Sequence, residues 1–587
     1  MKRTVTKWSV VAAAALVLAS APPARAQKIN VNDQHVQELI REAAARAGVS
    51  ATGVSDTTAQ ATAGANGRPV VRLTLDDAIK LALDRNLDIS VQRLNPQTFD
   101  FSMSALQSSY RPILTSSVLQ QSQTTAPTST LAGATTGILA GTQQFNAGLA
   151  QNIKWGGGSF VANFNNTRAT TTSQTALFDP LYTPNWSAQY TQPLLRNFKI
   201  DTNRQQLVVT SLNQDISEIQ LQATIINTLA NVRNAYYNLV FAVQSVDVAK
   251  RSVDLAEQLV KDNQTRVEIG TMAPIDVVQA QSQAATQRQN LAAAEGTRRT
   301  NELALKRLIV NGTMDANWSA DIDPADRPDF APQPIDVPAA VARALANRTD
   351  LQQVKKNLQV NDVTLQLLRN QTLPQTDISA RYGLIGQGGT QFISSGTGIN
   401  RVVSSVIPGG YGDALSTLFQ NKYPTWSFAL NVSYPLGTSA AEASVARARV
   451  QLTQVEAQVH QIELQVATDV TTAATNVQNA VEQVQAAQAA SQFAQKQLEA
   501  EQSKFEVGMS TNYFVVQAQR DLATAQNNEL QAILSYRRAM VELERLQQTS
   551  LQNSNITIIT ATQGGGAGGA NTAAANASNA NTTTAGR

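Results

Sequence analysis

Two stretches of this 587-residue chain, Asn203 to Ile269 and Thr438 to Val507, run for 67 and 70 residues without a glycine or a proline. At 1.5 Å per residue each can form a helix roughly 100 Å long, which no ordinary globular domain accommodates. In the second stretch Val445, Ala448, Leu452, Val455, Val459, Ile462, Val466, Val470, Ala473, Val477, Ala480 and Val484 advance by 3 and 4 in turn, with one extra 4 after Val466. This is a coiled-coil seam with a stutter that locally relaxes left-handed supercoiling. Its Val and Ala side chains let helices approach closely. The other faces are mostly Gln, Asn, Thr and Ala, which can border water or another helix. Both runs stop at Gly270 and Gly508 and resume with Val-Val-Gln-Ala-Gln at 277–281 and 515–519. Glycine at a helix end supplies positive φ for a reversal, and Pro274 pre-sets a new first turn. Each run thus predicts a hairpin of long helices.

The tips belong to a larger duplication. Residues 266–281 lie on 504–519 at an offset of 238, continuing to Leu305-Lys306-Arg307-Leu308 on Leu543-Glu544-Arg545-Leu546. Upstream, residues 73–89 lie on 335–351 at an offset of 262, with Ala82-Leu83 on Ala344-Leu345, Asp88 on Asp350 and, without a gap, Pro112 on Pro374. The chain therefore reads as two copies joined by a segment holding Pro324, Pro328, Pro332, Pro334 and Pro338. Repeat 1 is placed at 71–333 and repeat 2 at 334–553. Pro184-Asn185-Trp186-Ser187 matches Pro424-Thr425-Trp426-Ser427, and the first copy has 22 more residues before it. Residues 145–166, around Gly156-Gly157-Gly158, account for that surplus as an inserted hairpin.

The middle of each copy alternates with period two. Trp426, Phe428, Leu430, Val432 and Tyr434 oppose Ser427, Ala429, Asn431 and Ser433, while Ile378, Ala380, Tyr382 and Leu384 oppose Asp377, Ser379, Arg381 and Gly383. Such strands suit lipid on one face and water on the other, or a core and water. Trp155, Trp186, Trp426 and Tyr434 near strand ends suit an interfacial aromatic girdle. The second copy offers strands at about 377–386 and 425–435 within 377–436, and the first two or four within 113–195, giving four to six per chain. Since single-chain barrels use about eight or more, several chains must share one barrel, with the helices of about 200–310 and 438–553 continuing it.

Residues 1–26 read as an export signal: Lys2, Arg3 and Lys7, then the apolar Trp8 to Ala19, then Ala24-Arg25-Ala26. No later stretch is apolar enough for a transmembrane helix, so any membrane entry is as a barrel. Residues 27–70 read as an N-terminal periplasmic extension and 554–587 as a disordered tail. Without the leader the balance is 42 basic to 43 acidic residues, against a nucleic-acid partner. The chain has no cysteine, and its histidines are His35 and His460. No catalytic, cofactor or metal constellation emerges. Asp321, Asp323, Asp326 and Asp329 lack the glycine and glutamate of a calcium loop and read as a solvated linker.

Together the Leu-x-Leu-Asp-Asp-Ala…Ala-Leu-x-x-Asn opening at 73–86, its copy at 335–348, Gln-Pro-Leu-Leu at 192–195, Tyr-Pro-Leu-Gly at 434–437 and the two glycine tips resemble the TolC-like outer-membrane efflux and secretion channel family over about residues 71–550. The resemblance implies an α+β membrane protein: a homotrimer with a shared outer-membrane β-barrel, continued by a long periplasmic α-helical coiled-coil barrel. It implies an exit duct of a tripartite efflux pump or type I secretion system, in contact with outer-membrane lipid. It further implies docking onto a periplasmic adaptor, or membrane fusion protein, of an inner-membrane pump. Arg266, Ile269, Gly270 and Thr271 in one tip and Lys504, Val507, Gly508 and Met509 in the other are the docking candidates. Family tips commonly run Val-Gly-Leu with a later Asp-Val. Here Thr271 and Met509 replace that Leu, and Asp-Val survives as Asp276-Val277 but becomes Phe514-Val515. The acidic ring of some members falls on Phe514 and Gln517, so Asp276, Phe514 and Gln517 are the gate candidates, without charge-based selectivity. The alternative class is a periplasmic coiled-coil tether with no pore.

Overall fold

The computed structural model describes residues 62–63, 69–126, 137–326, 330–332, 334–396, 402–437 and 439–549. The export signal, nearly all of the N-terminal extension, His35, Asp329 and the C-terminal tail lie outside the described residues. In chain order the elements are β1 (Thr62–Ala63), β2 (Pro69–Leu73), α1 (Leu75–Arg85), α2 (Leu87–Ser108), β3 (Ile113–Thr125), β4 (Ile138–Asn152), β5 (Ser159–Thr171), β6 (Phe178–Pro193), α3 (Thr202–Glu268) and α4 (Pro274–Ile309). There follow α5 (Ala316–Ser319), β7 (Asp321–Pro324), α6 (Val337–Asn347), α7 (Thr349–Gln371), β8 (Gln375–Ile385), β9 (Gly388–Ser395), β10 (Val402–Ile407), α8 (Tyr411–Phe419), β11 (Pro424–Ser433), α9 (Ala440–Glu506) and α10 (Asn512–Gln547). Helix lengths agree between the halves: α3 and α9 have 67 residues, α4 and α10 have 36, α1 and α6 have 11.

Local chemistry starts the helices. The Thr74 hydroxyl accepts from the Asp77 amide at 3.2 Å, and Asn86 caps α2 by accepting from Asp88 and Ile89. Ser439 and Glu442 form a reciprocal capping box on α9. The seam of α9 is buried at Val445, Ala448, Val459, Val466, Val470, Ala473, Val477, Ala480 and Val484, against α10, α7 and α6. α3 packs against α4 and α10, and along its upper part against α2 and α7. Polar links fasten neighbouring helices: Lys356 to Asp215 at 2.7 Å, Arg348 to Asp469 at 3.1 Å, and Arg233 to Glu544.

Six long strands pair antiparallel in the order β3-β4-β5-β6-β8-β11. The register sorts the side chains by face. One row across the sheet reads Leu114, Leu149, Ala162, Ala188, Tyr382, Trp426, and the adjoining row on the opposite face reads Thr115, Gly148, Asn163, Ser187, Gly383, Thr425. The residues expected at 145–166 form the β4–β5 hairpin, which is longer than expected because the pairing runs from Ala140 opposite Thr171 to Asn152 opposite Ser159. Among the described residues no helix is long and apolar enough to cross a membrane.

Two expectations need correction. The alternation in the second copy predicts two strands, but between them the structure also holds β9, β10 and α8. β9 continues the sheet by pairing with β6 beyond the end of β8, and short apolar segments carry too little period to show this in sequence. The acidic stretch read as a solvated linker is partly structured: β7 pairs parallel with β2, and Ile322 is buried. Asp323 meets Arg72 at 3.5 Å, while the Asp326 carboxylate accepts from the Leu75 amide at 2.7 Å. The Tyr236 hydroxyl lies 3.0 Å from the Leu73 carbonyl and from the Asp326 carboxylate, and burial pushes its pKa well above the usual phenol value.

Candidate functional site

The two helix tips close with the same backbone bonds. After α3, the Gly270 amide donates to the Val267 carbonyl at 2.9 Å and the Thr271 amide to Arg266 at 2.9 Å. After α9, Gly508 donates to Phe505 at 3.2 Å and Met509 to Lys504 at 2.8 Å. This is the paired 5→2 and 6→1 pattern of a Schellman cap, and it needs a left-handed residue at the glycine. Gly270 has φ 78° and Gly508 φ 81°. Around either, the space that a Cβ would occupy is open. The residues beside them are solvent-facing knobs: Ile269 is 68% exposed, Val507 70% and Met509 79%. Gly270 and Thr271 are exposed as well.

The equivalent basic residues behave differently. Arg266 lays its guanidinium over the Phe505 ring, 4.4 Å from its centroid, and donates to the Phe505 carbonyl at 3.3 Å. It therefore ties the first tip to the second. Lys504 instead donates to Glu501 at 2.6 Å, and the Ser510 hydroxyl donates to the other oxygen of that carboxylate at 2.8 Å. The bond from Lys504, then that from Ser510, holds the Glu501 carboxyl below its ordinary pKa. A recess of about 370 Å³ opens here, lined by Glu501, Lys504, Met509, Ser510, Thr511 and Phe514 among others.

The gate candidates are spread around the start of α10. Asp276 contributes its backbone carbonyl, which accepts from Asn512 at 3.3 Å. Phe514 is exposed, edge-on to exposed Tyr513 with ring centroids 5.6 Å apart, and Gln517 donates to Asp521 at 2.9 Å. Residues outside the docking and gate candidates do the joining. Asn512, Val515, Val516, Gln519 and Leu522 are buried at helical spacing, the apolar ones against Leu259, Leu498 and Phe505. Within that stripe Asn263 donates to Asn512 at 2.9 Å, Gln519 donates to the Leu255 carbonyl at 3.4 Å, and Arg520 beside it donates to Gln283 at 2.8 Å. Of these, Asn512 stands opposite Pro274 and Asn263 opposite Glu501 at the offset of 238, so that tie is not repeated in the other copy. The i, i+3, i+4, i+7 spacing of the stripe was the available signal.

The arrangement offers apolar knobs, two aromatic rings and polar inter-hairpin ties. Among the described residues no cluster of His, Cys, Asp or Glu could hold a metal ion. His460 is an exposed helix residue 3.2 Å from Glu463.

Residues 159–311 and 340–547 match the family model described as "Outer membrane efflux protein". The fold is similar to the CmeC outer membrane channel of Campylobacter jejuni, with a TM-score of 0.57, 15% identity, and cover of 82% of this chain and 90% of that one. It is likewise similar to the outer membrane protein VceC of Vibrio cholerae, at 0.55, 14%, 81% and 95%. For the Neisseria gonorrhoeae MtrE outer membrane channel the values are 0.55, 16%, 81% and 88%. At these identities the likeness concerns the fold. No curated protein matches the chain by sequence.

Proposed function

The chain belongs to the outer membrane efflux protein family, and from that premise we propose that three copies share one barrel in the outer membrane and dock by their helix tips onto a periplasmic adaptor of an inner-membrane pump. The protein is a channel of the outer membrane with a large periplasmic portion, and not an enzyme. In the proposal it is the passive exit duct of a tripartite efflux pump or a type I secretion system, with residues 71–333 and 334–553 as equivalent repeats. Residues 1–26 are the leader removed on export.

One observation carries this reading. The run of six long strands ends on β3 and β11, which lack a second sheet partner among the described residues and are exposed along almost their whole length, while the short β9 and β10 branch from β6 beyond the end of β8. Unpaired backbone donors and acceptors cannot remain open in hydrocarbon, and an apolar face beside a polar one cannot be satisfied by a flat sheet in lipid. Joining β11 of one chain to β3 of the next removes both problems. Three chains, each contributing its six long strands, then enclose eighteen, with the polar rows inside.

The docking role is tested with Gly270→Val and Gly508→Val in the full chain. The expected outcome is trimers that still assemble in the outer membrane and no export of cargo. Normal export, or loss of export only through misfolding, would leave the tips as plain structural turns.

A further inference from the structure

The segment between β10 and β11 folds back onto the apolar face of the sheet. The Tyr411 hydroxyl lies 2.6 Å from Asn166 Oδ1, and its ring meets Tyr182 edge-on with centroids 5.9 Å apart. Past the helix, the Tyr382 hydroxyl donates to Asn421 at 3.3 Å. Asn166, Tyr182 and Tyr382 all share the face of Phe145, Phe164 and Trp426 by register. Two glycines let α8 come this close: a Cβ on Gly388 would stand 2.5 Å from the Ala414 amide, and one on Gly386 2.1 Å from the Ala414 carbonyl.

The apolar arc of α8 is wider than the sheet covers. Tyr411, Ala414, Leu415, Leu418 and Phe419 form one side of the helix, and Gly412, Asp413, Ser416, Thr417 and Gln420 the other. Ala414 and Leu418 are buried on the sheet, while Phe419 is 78% exposed and Tyr423 beside it 53%. At the start of the helix Arg168 projects from the same sheet face. It donates to Gln143 at 3.1 Å and to the Tyr182 hydroxyl at 3.3 Å, with its guanidinium 6.0 Å from the Tyr182 ring centroid. These partners are all neutral, so among the described residues its charge is uncompensated on the face otherwise richest in aromatic and aliphatic groups. Exposed Lys422 adds a second cation in the turn with Asn421. Asp413 is occupied on the polar side of the helix, accepting from the Gly410 amide at 2.7 Å.

We propose that α8 and Arg168 form a docking site for a phosphorylated lipid of the outer leaflet, the phosphate on Arg168 and an acyl chain against Phe419 and the uncovered flank of the helix. This rests on the reading that the apolar sheet face meets the membrane. The occupant follows from three observations. Arg168 stands at the end of β5 away from the turn that packs beside the start of α3, hence at the outer rim. An aromatic-bearing amphipathic helix lying against the apolar face matches the interfacial geometry of membrane-surface helices. Finally, α8 lies over β9, β6 and β8, inside the β3 and β11 edges where a second copy would pair, so a neighbouring chain leaves it open to lipid.

The test uses the purified full chain in detergent, mixed with diphosphorylated lipid A, the same lipid enzymatically dephosphorylated, or phosphatidylglycerol, with retained lipid counted by native mass spectrometry. Diphosphorylated lipid A should be held at one per chain, and the other two about tenfold more weakly, since a charge-assisted contact is lost or misplaced. Arg168→Gln and Phe419→Ser should each reduce retention about tenfold while the oligomer mass is unchanged. Equal retention of the dephosphorylated lipid or of phosphatidylglycerol by the unaltered protein overturns the proposal, as does full retention by either variant. Failure of the unaltered protein to insert into lipid vesicles at all would strike the barrel reading; insertion without the phosphate preference strikes this one alone.

Discussion

Gly270 and Gly508 show how one backbone angle can be read from a single residue type. Each sits two places past a helix end at φ near 80°, where an L side chain costs about 1 to 2 kcal/mol, and neither is crowded. The penalty of substitution is therefore conformational alone. Gly508→Ala should lower the unfolding free energy by about 1 kcal/mol, and Gly508→Asn by less, because Asn visits the left-handed region more readily. Denaturant unfolding followed by helical circular dichroism measures both, and an Ala variant as stable as the parent would show that the turn does not depend on glycine. What such residue patterns do not carry is the direction of a long side chain. Arg266 and Lys504 occupy equivalent positions, yet one stacks on Phe505 and the other pairs with Glu501. That choice depends on whether an aromatic ring from the other hairpin lies within reach.

Among the elements, the β4–β5 hairpin was legible because Gly156 to Gly158 interrupt an alternating pattern, and its turn packs beside the start of α3. A Cβ at Gly157 would stand 2.6 Å from the Asn197 carbonyl and near Asp201 and Arg204. The hairpin therefore turns at the helical end of the sheet. Labelling at Gly157 itself would strain that packing, so Lys154 next to 72%-exposed Trp155 is the better probe. A maleimide that does not cross the outer membrane should leave Lys154→Cys unmodified on intact cells and modify it after permeabilisation. Strong modification of intact cells would place the turn outside. α8 is the opposite case: nine residues with a clean apolar arc, hidden in sequence because so short a segment has no length to distinguish a helix from a loop.

At the scale of the whole molecule, the strand count decides the assembly. With six long strands ending on unpartnered β3 and β11, detergent-solubilised protein should have the mass of three chains, and a monomer that still conducts in planar bilayers would sink the shared barrel. The helices, their tips and the alternating strands are determined by local composition: hydrophobic period sets the element type, and glycine or proline sets its end. Those signals depend on neighbours a few residues apart, and so they survive in the sequence without any knowledge of the fold. The attachment of β9 to β6, the parallel pairing of β2 with β7, the seat of α8 on the sheet and the Asn263–Asn512 tie were settled by contacts between residues far apart in the chain. Such contacts are fixed by packing and by the need of buried polar groups for partners; sequence neighbours can mark a residue as buried, but they do not name its distant partner.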